Sequence, residues 1–495
     1  MNRQRGAVLT VDVGTSSLKA VIYSTAGEVV DRATCRYGYS TPQAGWAEAK
    51  PDGWWDALQE ALCELRQRCD LLTVEAIAFT GQMHSAVLLD ADGKVVPPTI
   101  LWLDRRASAE TAHLQALLRL PAYQLNSTYT LPKLLWLRRH LPEALERTRR
   151  ILWPKDYLRF RLTGEICTDL TEPGGAALLD WNRRCWMDER LSIVGLSPDV
   201  LPPIRTAAGD AGSVLPSAAQ FLGLNPNARV IVGMGDVAAL FGAAPPAGGR
   251  VVCSLGSSSM VFAPIEEGDD IEDAENRVYI YPFGPYPLLG GVSSTTGAAL
   301  VWVCELCQGQ SFETSVAEAR AVPPGADGLT FLPYLAGERS PYWTDDIRGG
   351  FYGLQLSHTR AHLVRAVMEG VAFSLRHLLD IYSELGLPVK EIALAAGGAT
   401  TEGWPQIIAD VCERDVLIYA EEETVTRVLY ALCQVNLGRA SFEGALRRTF
   451  GEPILTHSRE EVAHVYGRAY GQYRPFAAFA ETRAAAAGST ARDIE

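Results

Sequence analysis

The chain has 495 residues, 47% of them hydrophobic and 21% charged, the balance of a globular protein too long for one ordinary core. Its formal net charge of −13 and the lack of a basic stripe argue against a general nucleic-acid binder. No run approaches the roughly 18 uncharged apolar residues that span a bilayer, and the opening MNRQRGAVLTVDVG is broken by Asp12 without a cleavage-like site, so neither a membrane partner nor a signal peptide is expected. The ten cysteines are scattered without a framework, which suits a reducing cytoplasm. Cys304-Glu-Leu-Cys307 is a lone CxxC in an apolar, helix-like stretch and reads as core.

In chain order, the first element is VLTVDVGTSSLKAVIYSTAGEVV (8–30), an apolar run that stops at an acid, a glycine and three hydroxyls and resumes as a strand after a turn at Ala26-Gly27. β-Branched runs joined by a tight glycine turn predict a β-hairpin. Asp12 at the strand tip, beside the small residues Gly14, Thr15 and Ser16 with their open backbone N–H groups, makes a place for phosphate and a cation; an ordinary hairpin with a polar turn is the alternative. PDGWWDALQEALCELRQRC (51–69) carries Pro51-Asp52 as start signals and a helical face at Trp55, Leu58, Leu62 and Leu65. Residues 74–96 read as strand, polar break and strand with a turn at Asp92-Gly93, and 107–165 as mainly helical.

ARVIVGMGDVAALFGAA (228–244) predicts a strand, a glycine turn and a helix of small residues, and the PPAGG loop at 245–249 a hinge-like lobe boundary. The next run, RVVCSLGSSSMVF (250–262), repeats the opening unit: Gly256 stands 242 residues after Gly14, and the same offset pairs Asp12 with Ser254 and Ser16 with Ser258. Such a recurrence predicts two similar lobes facing a shared site. Two hydroxyl and glycine turns would grip a polyphosphate from opposite sides, with the single carboxylate for its metal. RAHLVRAVMEGVAFSLRHLLDIYSELG (360–386) predicts a long amphipathic helix near the interlobe cleft, 391–412 a strand, glycine turn and helix, and the small, polar ETRAAAAGSTARDIE (481–495) a frayed tail.

No GxxxxGK[ST] is present, which excludes a P-loop. Gly233-Met-Gly235-Asp236 resembles a dinucleotide fingerprint, yet the next strand ends in Ser254-Leu-Gly256 rather than an acid, and Asp236 inside the turn would repel a pyrophosphate. Asp236 reads better as a base at a helix N-terminus, where the dipole favours the ionised form, with a helix cap as the bland alternative. Phosphoryl transfer to an alcohol needs such a carboxylate and a cation for the phosphate oxygens, roles that Asp12 and Asp236 could divide. Gln82 and His84 at a strand break, with Asp104, Arg106 and the Trp102 wall, look like a polyol site, although each alone is more often structural.

Taken together, DVGTSSLKA, GQMH, LWLDRR, PKLLWL, PKDYLRFRLTG, GMGDVAALFGA, SLGSSS, FLPYLAGERSPYW, RAVMEGVAFSL and AAGGAT, in this order from residue 8 to about 440, resemble the FGGY family of carbohydrate kinases. The resemblance implies an α/β fold of two actin-like ATPase (ribonuclease H-like) lobes flanking a deep interlobe cleft that holds ATP and Mg²⁺ and closes around a sugar. It implies an N-terminal lobe over 1–245 with the sugar side and first phosphate turn and a nucleotide-binding lobe over 246–475, and the chain's end over 476–495 is expected to be a flexible tail. Carried across by position, Gly14, Thr15 and Ser16 match the first phosphate turn; Gly256, Ser257 and Ser258 the second; Gly397, Gly398 and Ala399 the adenosine-side turn. Asp236 matches the general base and, with Asp12, the metal position, while Met83, His84, Asp104 and Arg106 match sugar-side positions. A homodimer is also what the family implies.

GQMH, PKDYLRFRLTGE and FLPYLAGERSP are most similar to the family's xylulokinases, so D-xylulose phosphorylated on its terminal primary hydroxyl is the first expectation. Two departures concern the sugar side. Trp102-Leu-Asp-Arg-Arg106 stands where xylulokinases typically read Trp-Asn-Asp-Gly-Arg, and Val237 follows Asp236 where they read Asn. MHS and SPYWTDDIRGGFYGL are closer to gluconokinase-like members, whose acid substrate would welcome Arg105. Gluconate or another polyol or ketose is therefore the alternative substrate. An actin-like ATPase without a sugar is the distant one, disfavoured by the polyol motifs at 81–84 and 102–106.

Overall fold

The computed structural model describes residues 6–120, 124–242, 248–265, 271, 273–281, 288–307, 310–419 and 423–492. Two compact units emerge, one from Met1–Pro245 with Glu422–Gly451, the other from Pro246–Tyr281, Pro287–Glu421 and Glu452–Glu495. The expected nucleotide lobe over 246–475 therefore differs in one stretch, because 423–451 packs with the first unit. Most of the expected hinge at 245–249 lies outside the described residues. Among those residues no helix is long and apolar enough to cross a membrane.

The first unit is built on strands β1 (Ala7–Val13), β2 (Ser17–Tyr23), β3 (Val29–Arg36), β4 (Val74–Gly81), β5 (Asp210–Ser213) and β6 (Arg229–Gly235). They lie in the order β5-β6-β4-β1-β2-β3, with β1, β4 and β6 parallel and the rest antiparallel to their neighbours. The parallel strands are near-continuous apolar runs because both faces of the sheet are covered. Pro51–Arg66 is the expected helix, Pro starting it, but Trp54 rather than Trp55 leads the buried face with Leu58, Ala61, Leu62 and Leu65. Thr424–Asn436 packs against β1 and β4, and Tyr430 donates its hydroxyl to the Thr25 carbonyl at 3.0 Å.

The second unit holds β7 (Arg250–Leu255), β8 (Ser259–Pro264), β9 (Tyr279–Tyr281), β10 (Leu288–Ser293), β11 (Glu391–Ala395), β12 (Asp415–Ile418) and β13 (Ile454–Thr456) in the order β9-β10-β8-β7-β11-β12-β13. Read from β10, the neighbours and their directions repeat those of the first sheet read from β3: two antiparallel pairings, two parallel ones and an antiparallel edge. The repeat seen at Gly14 and Gly256 is thus one corner of two sheets of the same topology. The long helix Arg360–Glu384 buries Val364, Val367, Met368, Val371, Leu375 and Leu378 beneath this sheet.

The expected flexible tail over 476–495 is corrected by the structure as far as Arg492, the last described residue. Glu460–Arg492 is one helix, and Tyr473, Ala477, Ala480 and Ala484 are buried on the core of the second unit. Small alanines bring the helix close to its support without forming the large apolar stripe that marks a packed helix in sequence.

Candidate active site

The three parallel strands of the first unit end in register: Val13 pairs with Gly81, and Gly81 with Gly235. Residues just past these ends therefore leave from one edge, the carboxyl edge where open α/β sheets bind ligands. Asp12 and the Gly14–Ser16 turn come from β1, Gln82, Met83 and His84 from β4, and Asp236 from β6. The turn is closed by the Gly14 amide donating to the Ser17 carbonyl at 2.9 Å. Tyr37 steadies it from outside, its hydroxyl 2.6 Å from the Gly14 carbonyl. Gln82 is buried and donates its amide to that same carbonyl at 3.1 Å, so it braces the Gly14–Ser16 turn. Trp102, at the edge of the polyol motif, donates its indole N–H to Thr15 Oγ1 at 2.9 Å.

His84 sits at φ 67°, a left-handed conformation that costs a non-glycine residue on the order of 1–3 kcal/mol and persists only where surroundings impose it. Its Nδ1 lies 2.5 Å from the Gly175 carbonyl, and its own carbonyl accepts from Thr130 Oγ1 at 3.0 Å and Lys133 Nζ at 3.4 Å. A carbonyl only accepts, so Nδ1 carries the proton and Nε2 presents a lone pair. Burial pushes the His84 pKa down to about 4 and the Lys133 pKa down to about 7. Met83 is held between two glycines: a Cβ on Gly235 would stand 2.6 Å from its Sδ, and one on Gly175 2.9 Å from its Cε.

Asp104 and Arg106 are brought together, but by each other. Asp104 Oδ1 accepts the Arg106 amide at 2.8 Å, Oδ2 pairs with its Nη2 at 2.8 Å, and Oδ2 also takes the Ala47 amide at 2.5 Å. The Arg106 guanidinium continues to Glu48 at 2.8 Å and lies 3.7 Å from the Trp46 ring centre. Both side chains serve as a buried brace that ties the 102–106 segment to Trp46, Ala47 and Glu48. Arg105 is exposed, its Nη1 turned back to the Trp102 carbonyl at 3.3 Å.

Asp236 opens the helix Asp236–Gly242, and its Oδ1 accepts the Val237 amide at 2.8 Å. The dipole of this short helix does not prevail: burial, and then the charge of Asp12, push the Asp236 pKa up to about 7, against the backbone hydrogen bonds that lower it. Burial likewise pushes Asp12 up to about 6, only partly opposed by Lys19. Two carboxylates that no ammonium or guanidinium binds at ion-pair distance, among the described residues, fit a divalent cation shared with phosphate oxygens. No third acidic, His or Cys ligand joins them among the described residues.

Behind Asp236 lies a cluster that sequence reading missed. Lys155, Asp156, Arg159, Asp169, Thr171 and Glu172 are all buried. Lys155 Nζ reaches Asp156 at 2.7 Å and Asp169 at 2.9 Å, and Arg159 meets Asp156 at 2.9 Å. Neither Glu172 oxygen has a hydrogen-bond partner, and burial holds this carboxyl well above the usual range. The signal was the adjacent Lys155 and Asp156, with Arg159 one turn on, at the start of the helix Pro154–Thr163.

In the second unit β7 and β11 end side by side, Ser254 paired with Ala395, so the Gly256–Ser258 and Gly397–Ala399 turns leave from neighbouring strand ends. The first is clasped by Thr296, whose Oγ1 donates to the Gly256 carbonyl at 3.0 Å, and by the Gly297 amide at 2.8 Å on the same carbonyl. A Cβ on Gly398 would stand 2.5 Å from Leu255 Cδ2, so only glycine lets the Gly397–Ala399 turn pack on the end of β7. Cys304 is buried in the core, Cys307 partly so.

Family models of the FGGY carbohydrate kinases match both halves, the N-terminal domain over residues 7–242 and the C-terminal domain over 251–427. The xylulose kinase of Bacillus subtilis (strain 168) is 33% identical over 429 residues, 84% of this chain and 85% of that protein. A gluconokinase of Bacillus licheniformis is 27% identical over 431 residues, covering 83% and 84%. The crystal structure of xylulose kinase from Rhodospirillum rubrum superposes with a TM-score of 0.85 at 28% identity, over 97% of this chain and 99% of that one. The neighbours fix the class as two domains of the actin-like, ribonuclease H-like fold.

Proposed function

Because the chain belongs to the FGGY family of carbohydrate kinases, we propose that it transfers the γ-phosphoryl group of ATP to the terminal primary hydroxyl of D-xylulose, giving D-xylulose 5-phosphate. The observation that carries the reading is the shared strand edge: a carboxylate with a pKa of about 7 stands at the same edge as a phosphate-type turn and a polar sugar-side segment. Asp236 takes the hydroxyl proton as that oxygen attacks phosphorus, a role worth typically about 10²–10⁴-fold. The Gly14–Ser16 turn and its counterpart at Gly256–Ser258 donate N–H and O–H groups to phosphoryl oxygens, and the Gly397–Ala399 turn flanks the adenosine. Asp12, with Asp236, would hold Mg²⁺, which supplies positive charge to the phosphate oxygens when bound. Met83 and His84 line the sugar, Trp102 walls it, Gln82 braces the Gly14–Ser16 turn, and Asp104 with Arg106 holds the 102–106 segment against Ala47 and Glu48. The reading carries with it a cytoplasmic enzyme and a homodimer, the latter checked by light scattering.

D-Gluconate is the second reading, favoured by the gluconokinase relative and by Arg105. Against it, the Arg105 guanidinium is turned onto backbone carbonyls, and a neutral His84 would offer a carboxylate a lone pair. The test is kcat/KM for D-xylulose and D-gluconate in the wild type and Arg105→Gly. Xylulose preferred in both supports the first reading; a gluconate preference that collapses in the variant overturns it. ATP turnover unmoved by any pentulose, hexulose, polyol or aldonate would remove the sugar altogether.

A further inference from the structure

The strand that presents Asp236 is irregular just before it. Ile231 pairs with Ala78 and Met234 with Thr80, so β6 carries one more residue than β4 between those points. Gly233 absorbs the extra residue at φ +78°, where a Cβ would lie against the Phe79 carbonyl oxygen. A bulge weakens the ladder where it occurs and re-aims the side chains beyond it. Here both ends of the irregular stretch are gripped from outside the sheet. The Val232 carbonyl accepts Arg159 Nη1 at 2.5 Å, and the Gly235 amide donates to Thr171 Oγ1 at 2.8 Å.

The grips belong to one buried network. Thr171 Oγ1 passes its own proton to Asp169 Oδ1 at 2.9 Å, the Thr171 amide bonds Asp169 Oδ2 at 3.1 Å, and Lys155 holds Asp169. Arg159 and Lys155 meet again on Asp156, which also accepts from Thr168 Oγ1 at 2.7 Å. Lys155 and Arg159 face Asp156 and Asp169, and Glu172, 3.9 Å from Lys155, is held by burial well above the usual carboxyl range. A threonine hydroxyl suits the junction because it accepts from one backbone N–H and donates to a carboxylate at once. The same turn also reaches the sugar side, since the Gly175 carbonyl takes His84.

We propose that Thr171 is a positioning residue for Asp236, fixing through the Gly235 amide the strand end from which that carboxylate projects. This rests on the reading of Asp236 as the base. The test is a kinetic cycle of Thr171→Val, Asp236→Asn and the double variant, with Thr171→Ser as the conservative partner. A misplacement of the reacting group by about 1 Å costs on the order of 100-fold, so Thr171→Val is expected to lower kcat by about 10- to 100-fold while KM for ATP holds. Thr171→Ser recovers most of that loss, and Thr171→Val adds nothing further on the Asp236→Asn background. Wild-type turnover in Thr171→Val beside an inactive Asp236→Asn overturns the positioning role and leaves the base standing. Near-normal turnover in Asp236→Asn overturns the base instead. Equal losses on both backgrounds make Thr171 a general structural residue and also overturn the proposal. Should Thr171→Val not fold, Asp169→Asn, one link further from Asp236 and of the same shape, is read by the same cycle.

Discussion

Lys19 faces Asp12 across the β1–β2 pairing yet gives its ammonium to Glu423, 3.2 Å away. Glu423 is buried and also binds Arg32 at 3.0 Å, so it competes for the cation that would otherwise neutralise Asp12. Glu423→Gln should release Lys19 to Asp12. An opposite charge within about 4–6 Å lowers a carboxyl pKa by about 1–3 units, and the bound ammonium then competes with Mg²⁺. The Mg²⁺ concentration for half-maximal activity should rise several-fold with kcat at saturating Mg²⁺ retained; an unchanged requirement would refute the competition.

Asp236 makes two statements about pH. Its pKa is raised from 3.8 to about 7, so kcat/KM should climb as pH rises through about 7 and the carboxylate forms. Stability runs the other way. The folded state binds the proton more tightly than the unfolded one, so this group's contribution is fully present below about 3.8 and is lost as pH rises through about 7. Asp236→Asn should therefore abolish turnover by at least about 10²-fold and raise the melting temperature at pH 8 relative to wild type. A variant no more stable than wild type at pH 8 would show that the burial is not a cost.

In the proposed reading, Gly398 bears on the nucleotide side alone. A Cβ there would meet Leu255 Cδ2 at 2.5 Å and its carbonyl at 2.8 Å, forcing the Gly397–Ala399 turn away from β7. Overpacking of this kind costs about 1–3 kcal/mol. Gly398→Ala should weaken ATP binding by calorimetry while leaving binding of the sugar unaltered; equal losses for both would mean general unfolding.

Sugar recognition should be indifferent to mild acid. With the His84 pKa at about 4, the ring stays neutral and Nε2 stays an acceptor throughout the working range. KM for the sugar is expected to be flat between about pH 5.5 and 8, well above that value, any loss of rate there falling on kcat. A KM that climbs as pH falls through about 6.5 would mean that His84 titrates at its ordinary value.

The fold was legible because its signals are local and repeated. Alternating β-branched runs, glycine turns at Ala26-Gly27 and Asp92-Gly93, and the recurrence of Gly14 at Gly256 each arise from short-range pattern. Asp12 and Asp236 were legible as acids at strand ends. What pattern could not supply is which way a side chain turns once its neighbours arrive. Asp104 and Arg106 had the right chemistry for vicinal hydroxyls, and each spends it on the other, because Trp46 and Ala47 are brought over from a distant loop. The Lys155–Thr171 network was hidden for the same reason: its charges only balance once the 168–175 turn is laid against β6. The helix through 476–492 was missed because alanines pack by closeness rather than bulk.

The extra residue at Val232–Gly233 means that the position of Asp236 is kept as a count as much as a chemical identity. Deleting one residue from 231–234 would restore a regular ladder and remove the aim that the bulge gives the strand end, leaving the acid in the sequence but displaced from its place. Insertions and deletions in this short span should thus be far more damaging to the enzyme than most substitutions within it. An alignment of engineered or evolving variants could keep every named residue of the motif and still describe an inert protein.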